Sequence, residues 1–221
     1  MKTRHPQYKA NIESWQKFRA TYKGGKSFVE KYVIQRPRED NEEYEIRIRL
    51  SHCPAHAKSV LNEVKNSIFT RLSQGVSRIG GSELYNKAMR GEDGGVDRKH
   101  STMTRFIGAS LLPELLSIGK VGVWVDSNND KPFFTVYHAE NVLSWVEDTE
   151  NPGHFERVLL RNYSYETDEN GFPGEVKETF RAVVKNMDGV LIADYNKEGE
   201  LLNEVQLDIV AIPFAIAQLS E

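Results

Sequence analysis

The sequence predicts an α+β protein, with N-terminal helices followed by an antiparallel β meander. In residues 1–119 the apolar residues recur at three- and four-residue steps, as on one face of a helix. In residues 120–221 short apolar runs follow one another and are separated by turn-forming sequences. Because helices and strands that are segregated along a chain indicate the α+β class, we predict two parts that meet between residues 119 and 120.

Composition restricts the class of protein. The 221 residues are 39% hydrophobic and 28% charged, which is typical of a globular chain and too apolar for a disordered one. The net charge is -3, from 29 basic and 32 acidic residues, without the basic excess of a protein that coats nucleic acid. The single cysteine, Cys53, excludes an intrachain disulfide, as expected for a reducing cytosol. We find no signal peptide, and no apolar run approaches the roughly 20 residues that a bilayer requires.

Glycines and prolines divide the first half of the chain into helices. The first predicted helix follows Pro6 and ends at Gly24. Residues 42–50 alternate as a strand would, but they are rich in glutamate and arginine, so we predict a helix there. Further helices are predicted at residues 55–73, 83–89 and 101–118, with a kink or restart at Pro113 and a C-cap at Gly119. The helix at 55–73 has an apolar stripe that consists of Ala57, Val60, Leu61, Val64, Ile68 and Leu72.

Seven strands are predicted in the second half of the chain. They lie at residues 121–125, 133–137, 142–145, 155–165, 176–185, 190–195 and 205–212. Turn sequences separate them at 126–130, 151–153, 168–174, 188–189 and 197–199, and Asp188-Gly189 favours a tight hairpin. Residues 209–219 are apolar and no polar tail follows, from which we hypothesise that the chain is part of a longer protein.

One segment resembles a nucleotide-binding phosphate loop. Residues 20–27 read Ala-Thr-Tyr-Lys-Gly-Gly-Lys-Ser, with alanine in place of the first glycine and Lys26 as the phosphate-binding lysine. A phosphate loop follows a buried strand and opens a helix, so that backbone N–H groups face the phosphate. Because an amphipathic helix is predicted before this loop, nucleotide binding is the weaker alternative.

Three clusters contain groups that can ligate a metal or transfer protons. His52, Cys53 and His56 are close in sequence, but structural zinc needs four ligands, usually as two pairs. Asp126, Asn128 and Asp130 match the start of a calcium loop, although Lys131 and Tyr137 occupy its glycine and glutamate positions. Glu92, Asp93 and Asp97 lie in a glycine-rich segment that is typical of a surface loop. We therefore predict no catalytic, cofactor-binding or metal-binding residue and no enzyme activity.

Trp15, Trp124 and Trp145 are predicted in the core, with interface anchoring as the alternative.

The order of these elements resembles a family of tailed-phage portal proteins. The closest match is a helix from Phe106-Ile107 to Leu115-Leu116 that leads into Gly119-Lys120-Val121-Gly122 and a strand ending at Asp126. Other matching residues are His5-Pro6-Gln7-Tyr8, Trp15, Arg19, Lys31-Tyr32, Arg36-Pro37, Pro132, Tyr137, Glu140-Asn141-Val142-Leu143-Ser144-Trp145 and Ile212-Pro213-Phe214. The resemblance extends over nearly the whole chain.

The resemblance implies a structural role in a virion. Portal subunits form a ring, usually of twelve copies, at one capsid vertex, through which double-stranded DNA passes during packaging and ejection. The implied partners are further copies of the chain, the major capsid protein, a head-tail adaptor and the terminase, without a membrane or a cofactor. The ring would assemble in the host cytoplasm. This chain would form much of the wing and would stop before the stem and clip of the family.

A closed ring requires head-to-tail contacts, and therefore two different complementary faces on each subunit. We predict these faces at the charged residues 42–50, with Arg47 and Arg49, and at the glycine-rich loop 91–95. The alternatives are a head-completion or minor head protein and, with less support, a nucleotide-binding protein that uses Lys26.

Overall fold

The computed structural model describes residues 3–75, 80–128, 131–167 and 171–219. The helices come first and the strands follow, in two sheets with the strand orders β2-β1-β8 and β3-β4-β5-β6-β7. The predicted α+β class with a β meander is therefore confirmed. No helix within the described ranges is both long and apolar enough to cross a membrane.

The helices follow the predicted order, except that the short helix at Lys26–Tyr32 was not predicted. They are α1 (Pro6–Lys23), α2 (Lys26–Tyr32), α3 (Asn41–Leu50), α4 (His56–Gly75), α5 (Glu83–Met89), α6 (Met103–Phe106) and α7 (Leu112–Ile118). The ambiguous segment is helical because the Asp40 side chain caps α3 by accepting a hydrogen bond from the Glu43 backbone N–H at 2.8 Å. Gly119 ends α7 in the left-handed conformation, with φ 85, as predicted.

The predicted helix at 101–118 is interrupted by a π-helix, Ile107–Leu111, between α6 and α7. Pro113 has no backbone N–H to donate to the preceding turn, which accounts for the change of hydrogen bonding here. Gly108 lies in this π-helix, where an added Cβ would come within 1.9 Å of a ring carbon of Phe69. The glycine therefore allows α4 to pack closely on this helix.

The strands extend beyond most of their predicted bounds. They are β1 (Lys120–Asn128), β2 (Lys131–His138), β3 (Val142–Glu147), β4 (Phe155–Thr167), β5 (Pro173–Asn186), β6 (Gly189–Tyr195), β7 (Leu201–Leu207) and β8 (Phe214–Gln218). The hairpin at Asp188-Gly189 forms, with Asn186 paired to Gly189. The turns predicted at 126–130 and 168–174 fall partly outside the described residues.

Two predictions at the end of the chain are wrong. The strand predicted at 205–212 lies at Leu201–Leu207, and β8 was not predicted at all. Of residues 209–212 only Ile212 is buried, whereas Val210 is 89% exposed, so the apolar pattern here does not mark a strand. Pro213 lacks an N–H donor, and its carbonyl accepts a hydrogen bond from Val125 at 2.8 Å.

The chain forms two compact units. The β-rich unit consists of Met1–Ile12 and Lys120–Ala217, and the helical unit of Glu13–Gly119 and Gln218–Glu221. The first twelve residues are thus grouped with the strands, whereas the sequence analysis placed them with the helices. Trp124, Leu143 and Leu160 are buried in the β-rich unit. All three tryptophans are buried, as predicted for core residues: Trp15, Trp124 and Trp145.

Candidate functional site

The loop around Lys26 does not have the geometry of a phosphate loop. It follows the helix α1 and precedes α2, which has only seven residues. The Gly25 backbone N–H, which a phosphate would need, donates to the Cys53 carbonyl at 2.7 Å. Gly24 adopts φ 62, and an added Cβ would lie 2.8 Å from the same carbonyl oxygen. Lys26 itself is exposed and lies 3.7 Å from Glu30. Gly24 and Gly25 therefore allow this loop to approach the backbone at Cys53 closely.

The histidines near Cys53 lie at the entrance to α4. His52 and His56 are exposed, and Cys53 is partly buried. In the described part of the chain, no three side chains of His, Cys, Asp or Glu are grouped so that they can hold a metal ion. In the calcium-like segment, Asp126 accepts a hydrogen bond from the Ser127 N–H at 2.9 Å, and Asp130 lies outside the described residues.

Local structural contacts occupy the carboxylates of the glycine-rich loop. Glu92 pairs with Arg90 at 2.9 Å, and this hydrogen bond lowers the pKa of Glu92. Asp97 accepts hydrogen bonds from the backbone N–H groups of Lys99 at 3.0 Å and Ser101 at 3.3 Å. Positive φ angles occur at Asp93 (51), Arg98 (63) and His100 (58). Such angles cost about 1–2 kcal/mol each, which the surrounding contacts must offset.

The predicted contact residues of α3 have different environments. Arg47 donates to both carboxylate oxygens of Glu39 at 2.6 Å and to the Ile34 carbonyl at 2.9 Å. The hydrogen bond from Arg47, followed by one from the Arg36 backbone, lowers the pKa of Glu39 to about 2. Arg47 therefore fixes the segment before α3, whereas Arg49 is exposed and accessible to a partner.

A buried cation links the N-terminal segment to the β-rich unit. Lys120 is 3% exposed, and its Nζ lies 3.5 Å from the centre of the Trp145 ring and donates to Gln7 Oε1 at 2.8 Å. The His5 ring stacks on Trp145 with 3.8 Å between centroids. Burial lowers the pKa of Lys120 to about 8, against an opposing effect of the Glu147 charge. Burial, and then the charge of Lys120, lowers the pKa of His5.

The five-stranded sheet has a buried face and an outer face. On the buried face, Asn162 accepts a hydrogen bond from the Tyr137 hydroxyl at 2.7 Å, and Arg181 pairs with Asp194 at 2.9 Å. The outer face has a groove of about 360 Å³. Its lining includes Thr3, Ser144, Val146, Arg157, Leu159, Ala182 and Val184. This groove has room for an apolar side chain, with Arg157 as its charged group.

Strands β4 and β5 extend beyond their neighbours as a two-stranded ribbon, which we define as residues 161–167 and 173–179. Strand β3 pairs with β4 only over residues 155–160, and β6 pairs with β5 only over residues 180–186. Beyond these limits, β4 and β5 remain paired with each other as far as Thr167 and Pro173. Residues 163–167 and 173–177 are exposed on both faces.

One face of the ribbon carries its exposed apolar side chains, and we call it the apolar face, although the ion pair of Arg161 and Glu178 lies at its base, with Glu178 opposite Tyr163. The other face is polar. Tyr163 and Tyr165 lie on one face of β4, and Val176 is directly opposite Tyr165. The two tyrosines are 55% and 68% exposed, and Val176 is 58% exposed. On the other face, Glu166 and Lys177 form an ion pair. Strands that alternate in this way normally bury their apolar face, so the ribbon has the pattern of a strand pair that packs against something.

Helix α4 has a second exposed apolar surface, which we call the α4 stripe: Val60, Val64 and Ile68. These residues are 59%, 43% and 39% exposed and occur at one-turn intervals. Arg71 continues the same face and is exposed. Since Phe69 faces Gly108, the helix packs through its other side. Part of the apolar stripe predicted from the sequence is therefore solvent-exposed, and Leu72 lies where side chains are not described.

The two units have opposite net charges. The β-rich unit contains eighteen acidic and eleven basic residues, a net charge of −7. The helical unit contains eighteen basic and fourteen acidic residues, a net charge of +4. The total of -3 conceals this separation. Opposite fields of this kind attract complementary surfaces and accelerate their encounter.

Neither a scan against protein-family models nor a search of curated proteins finds a match to this chain. Within the described ranges, the candidate site consists of surfaces rather than a catalytic cluster, and the ribbon was not predicted from the sequence. A signal was present, because the strands predicted at 155–165 and 176–185 are longer than those predicted on either side. The ends of these two strands extend past their shorter neighbours and therefore project from the sheet.

Proposed function

We propose that the protein is a structural subunit of a tailed-phage portal ring, located at one capsid vertex, and that this chain forms the wing. The family resemblance suggests the kind of assembly. The opposite charges of the two units are the observation that supports it most directly. In a head-to-tail ring each copy presents two different faces, and an acidic unit that meets a basic unit satisfies this requirement.

Apolar surface supports the same proposal. Each unit has an exposed apolar surface: the ribbon on the β-rich unit, and the α4 stripe on the helical unit. Charge complementarity steers the approach of two copies and selects the pairing, while burial of apolar groups supplies most of the affinity. Two surfaces that differ in charge favour a heterologous contact over a two-fold dimer, in which each surface would meet itself.

The partners follow from the proposed role. The ring would contact the major capsid protein, a head-tail adaptor and the terminase, and double-stranded DNA would pass through its channel. The chain would contribute contacts and no chemistry, in the virion after assembly in the host cytoplasm. The loop before Lys26 gives the nucleotide-binding alternative no support, because the backbone N–H groups of Gly24 and Gly25 bond to the carbonyls of Ala20 and Cys53.

Electron microscopy of the purified full-length protein, combined with native mass measurement, tests the proposal. We expect closed rings with a central channel, and a population of rings that falls as NaCl is raised from 50 to 500 mM, since salt screens the attraction between the units. Monomers at every concentration and salt would contradict the proposal and favour a small accessory protein of the virion. Two-fold dimers would also contradict it, because they cannot close a ring.

A further inference from the structure

Three properties of the ribbon indicate that another surface covers it. It projects beyond the sheet, its apolar face is exposed, and an isolated pair of strands is only marginally stable in water. Tyr163, Tyr165 and Val176 form a continuous patch about 7 Å long on its apolar face, from the rise of a strand. Tyrosines offer a large contact area with little conformational freedom to lose, as is typical of interface anchors.

The charge of the ribbon restricts its partner. The ribbon itself contains three acidic and two basic residues, and with the connecting residues 168–172 the segment 161–179 contains five acidic and two basic residues, a net charge of −3. Its two basic residues are both paired within the ribbon: Arg161 with Glu178 at 3.0 Å, and Lys177 with Glu166. A partner surface should therefore combine apolar groups with positive charge.

The helical unit provides such a surface. The α4 stripe extends about 12 Å from Val60 to Ile68, from the rise of a helix, and is long enough to receive the tyrosine patch. Arg71 continues its face, and the unit as a whole has a net charge of +4. An apolar helix face flanked by an arginine is complementary to an acidic aromatic ribbon in both polarity and charge.

We infer that the ribbon of one copy docks on the α4 stripe of the next copy. The inference rests on the proposed function, since the partner is a second copy of this chain in a head-to-tail assembly. It assigns the two faces to the ribbon and to α4, in place of the loop 91–95 and α3. The tyrosines are the anchors, and the acidic side chains of the ribbon set its orientation on the basic surface.

Photocross-linking tests the contact directly. Tyr165 is replaced by the photoreactive aromatic p-benzoylphenylalanine, and the full chain is mixed as ¹⁴N and ¹⁵N copies before irradiation. We expect cross-linked peptides of mixed isotope composition that join position 165 to α4. Met187 is the matched control position, because it is fully exposed on the β5–β6 hairpin of the same unit. Cross-links from position 165 that remain within one copy, or that join it to the β-rich unit of the next, would overturn the inference.

A second experiment separates failure of the inference from failure of the proposed function. The double variant Tyr163→Ser/Tyr165→Ser is compared with Met187→Ser by sedimentation velocity, and circular dichroism verifies that both retain the native fold. We expect the double variant to weaken association at least tenfold, and Met187→Ser to leave it unchanged. If the wild type forms rings and the double variant forms them equally well, the docking inference is wrong and the ring proposal stands. If the wild type does not associate, both are wrong.

Discussion

Replacing the buried Lys120 should change how stability depends on pH. Its ammonium is desolvated beneath Trp145, and its pKa of about 8 lies well below the ordinary value of 10.5. Between these two values the unfolded chain retains the proton that the folded chain releases, so the free energy of unfolding rises with pH. This difference in pKa raises the free energy of unfolding by about 3 kcal/mol between the two pKa values, and by about 2 kcal/mol between pH 7 and pH 9.5. Below pH 8 this gain is absent.

The variant Lys120→Met removes the titration and keeps most of the side-chain volume. We expect its stability to lack the rise between pH 7 and 9.5, and at pH 7 to exceed that of the wild type by about 1–3 kcal/mol, because a buried charge without a carboxylate partner is costly. Urea unfolding, followed by tryptophan fluorescence at both pH values, measures this. Lys197→Met, at an exposed lysine of the same unit, should retain the wild-type slope. A flat wild-type profile, or the same slope in Lys120→Met, would refute the reasoning.

Three further predictions concern the helical unit. Gly108→Ala should destabilise this unit by about 1–3 kcal/mol in thermal unfolding, because the new Cβ would lie 1.9 Å from a ring carbon of Phe69, although alanine normally favours a helix. An added Phe69→Leu should recover part of the loss. A Gly108→Ala variant that is more stable than the wild type would contradict the packing. The lowered pKa of Glu39 contributes to the free energy of unfolding above pH 4.5, and this contribution is lost as the pH falls towards 2. Arg47→Met should therefore raise the pKa of Glu39 in an NMR titration and lower the free energy of unfolding above pH 4.5. An unchanged titration of Glu39 would argue against the ion pair. Magnesium ATP should not shift the melting temperature, and a shift that Lys26→Ala abolishes would restore the nucleotide-binding alternative.

Local signals in the sequence predicted most of the secondary structure. Gly119 can end a helix because it adopts a positive φ without strain, and the strand after it is apolar because it is buried. The hairpin at Asp188-Gly189 follows from turn chemistry that involves only neighbouring residues. Strand β8 was missed because its partner, β1, lies about ninety residues earlier in the chain. No local pattern distinguishes such a strand from a buried loop.

Surface properties were less accessible to sequence reasoning. The apolar stripe of 55–73 indicated a helix, but periodicity does not specify which side of the helix meets a neighbour. Gly108 and Phe69 settle this, since their contact places Val60 and Val64 on the opposite side, in solvent. The opposite charges of the two units were present in the sequence throughout. A division at residue 119 already gives +8 for residues 1–119 and −11 for residues 120–221, and grouping the first twelve residues with the strands reduces these charges to +4 and −7.

Docking of the ribbon would couple local order to assembly. Residues 163–167 and 173–177 continue the hydrogen bonding of a sheet whose other strands stop short, so in an isolated copy their order depends mainly on the pairing of β4 with β5. The ion pair between Arg161 and Glu178 lies at the base of this part. A single partly exposed ion pair contributes only about 1 kcal/mol or less. Burying the apolar face of two tyrosines against α4 contributes several times more, on the scale of about 25 cal/mol for each Å² removed from water. A second copy that covered the ribbon would stabilise it further, so under this proposal a closed ring would be more stable than an open intermediate with an uncovered end.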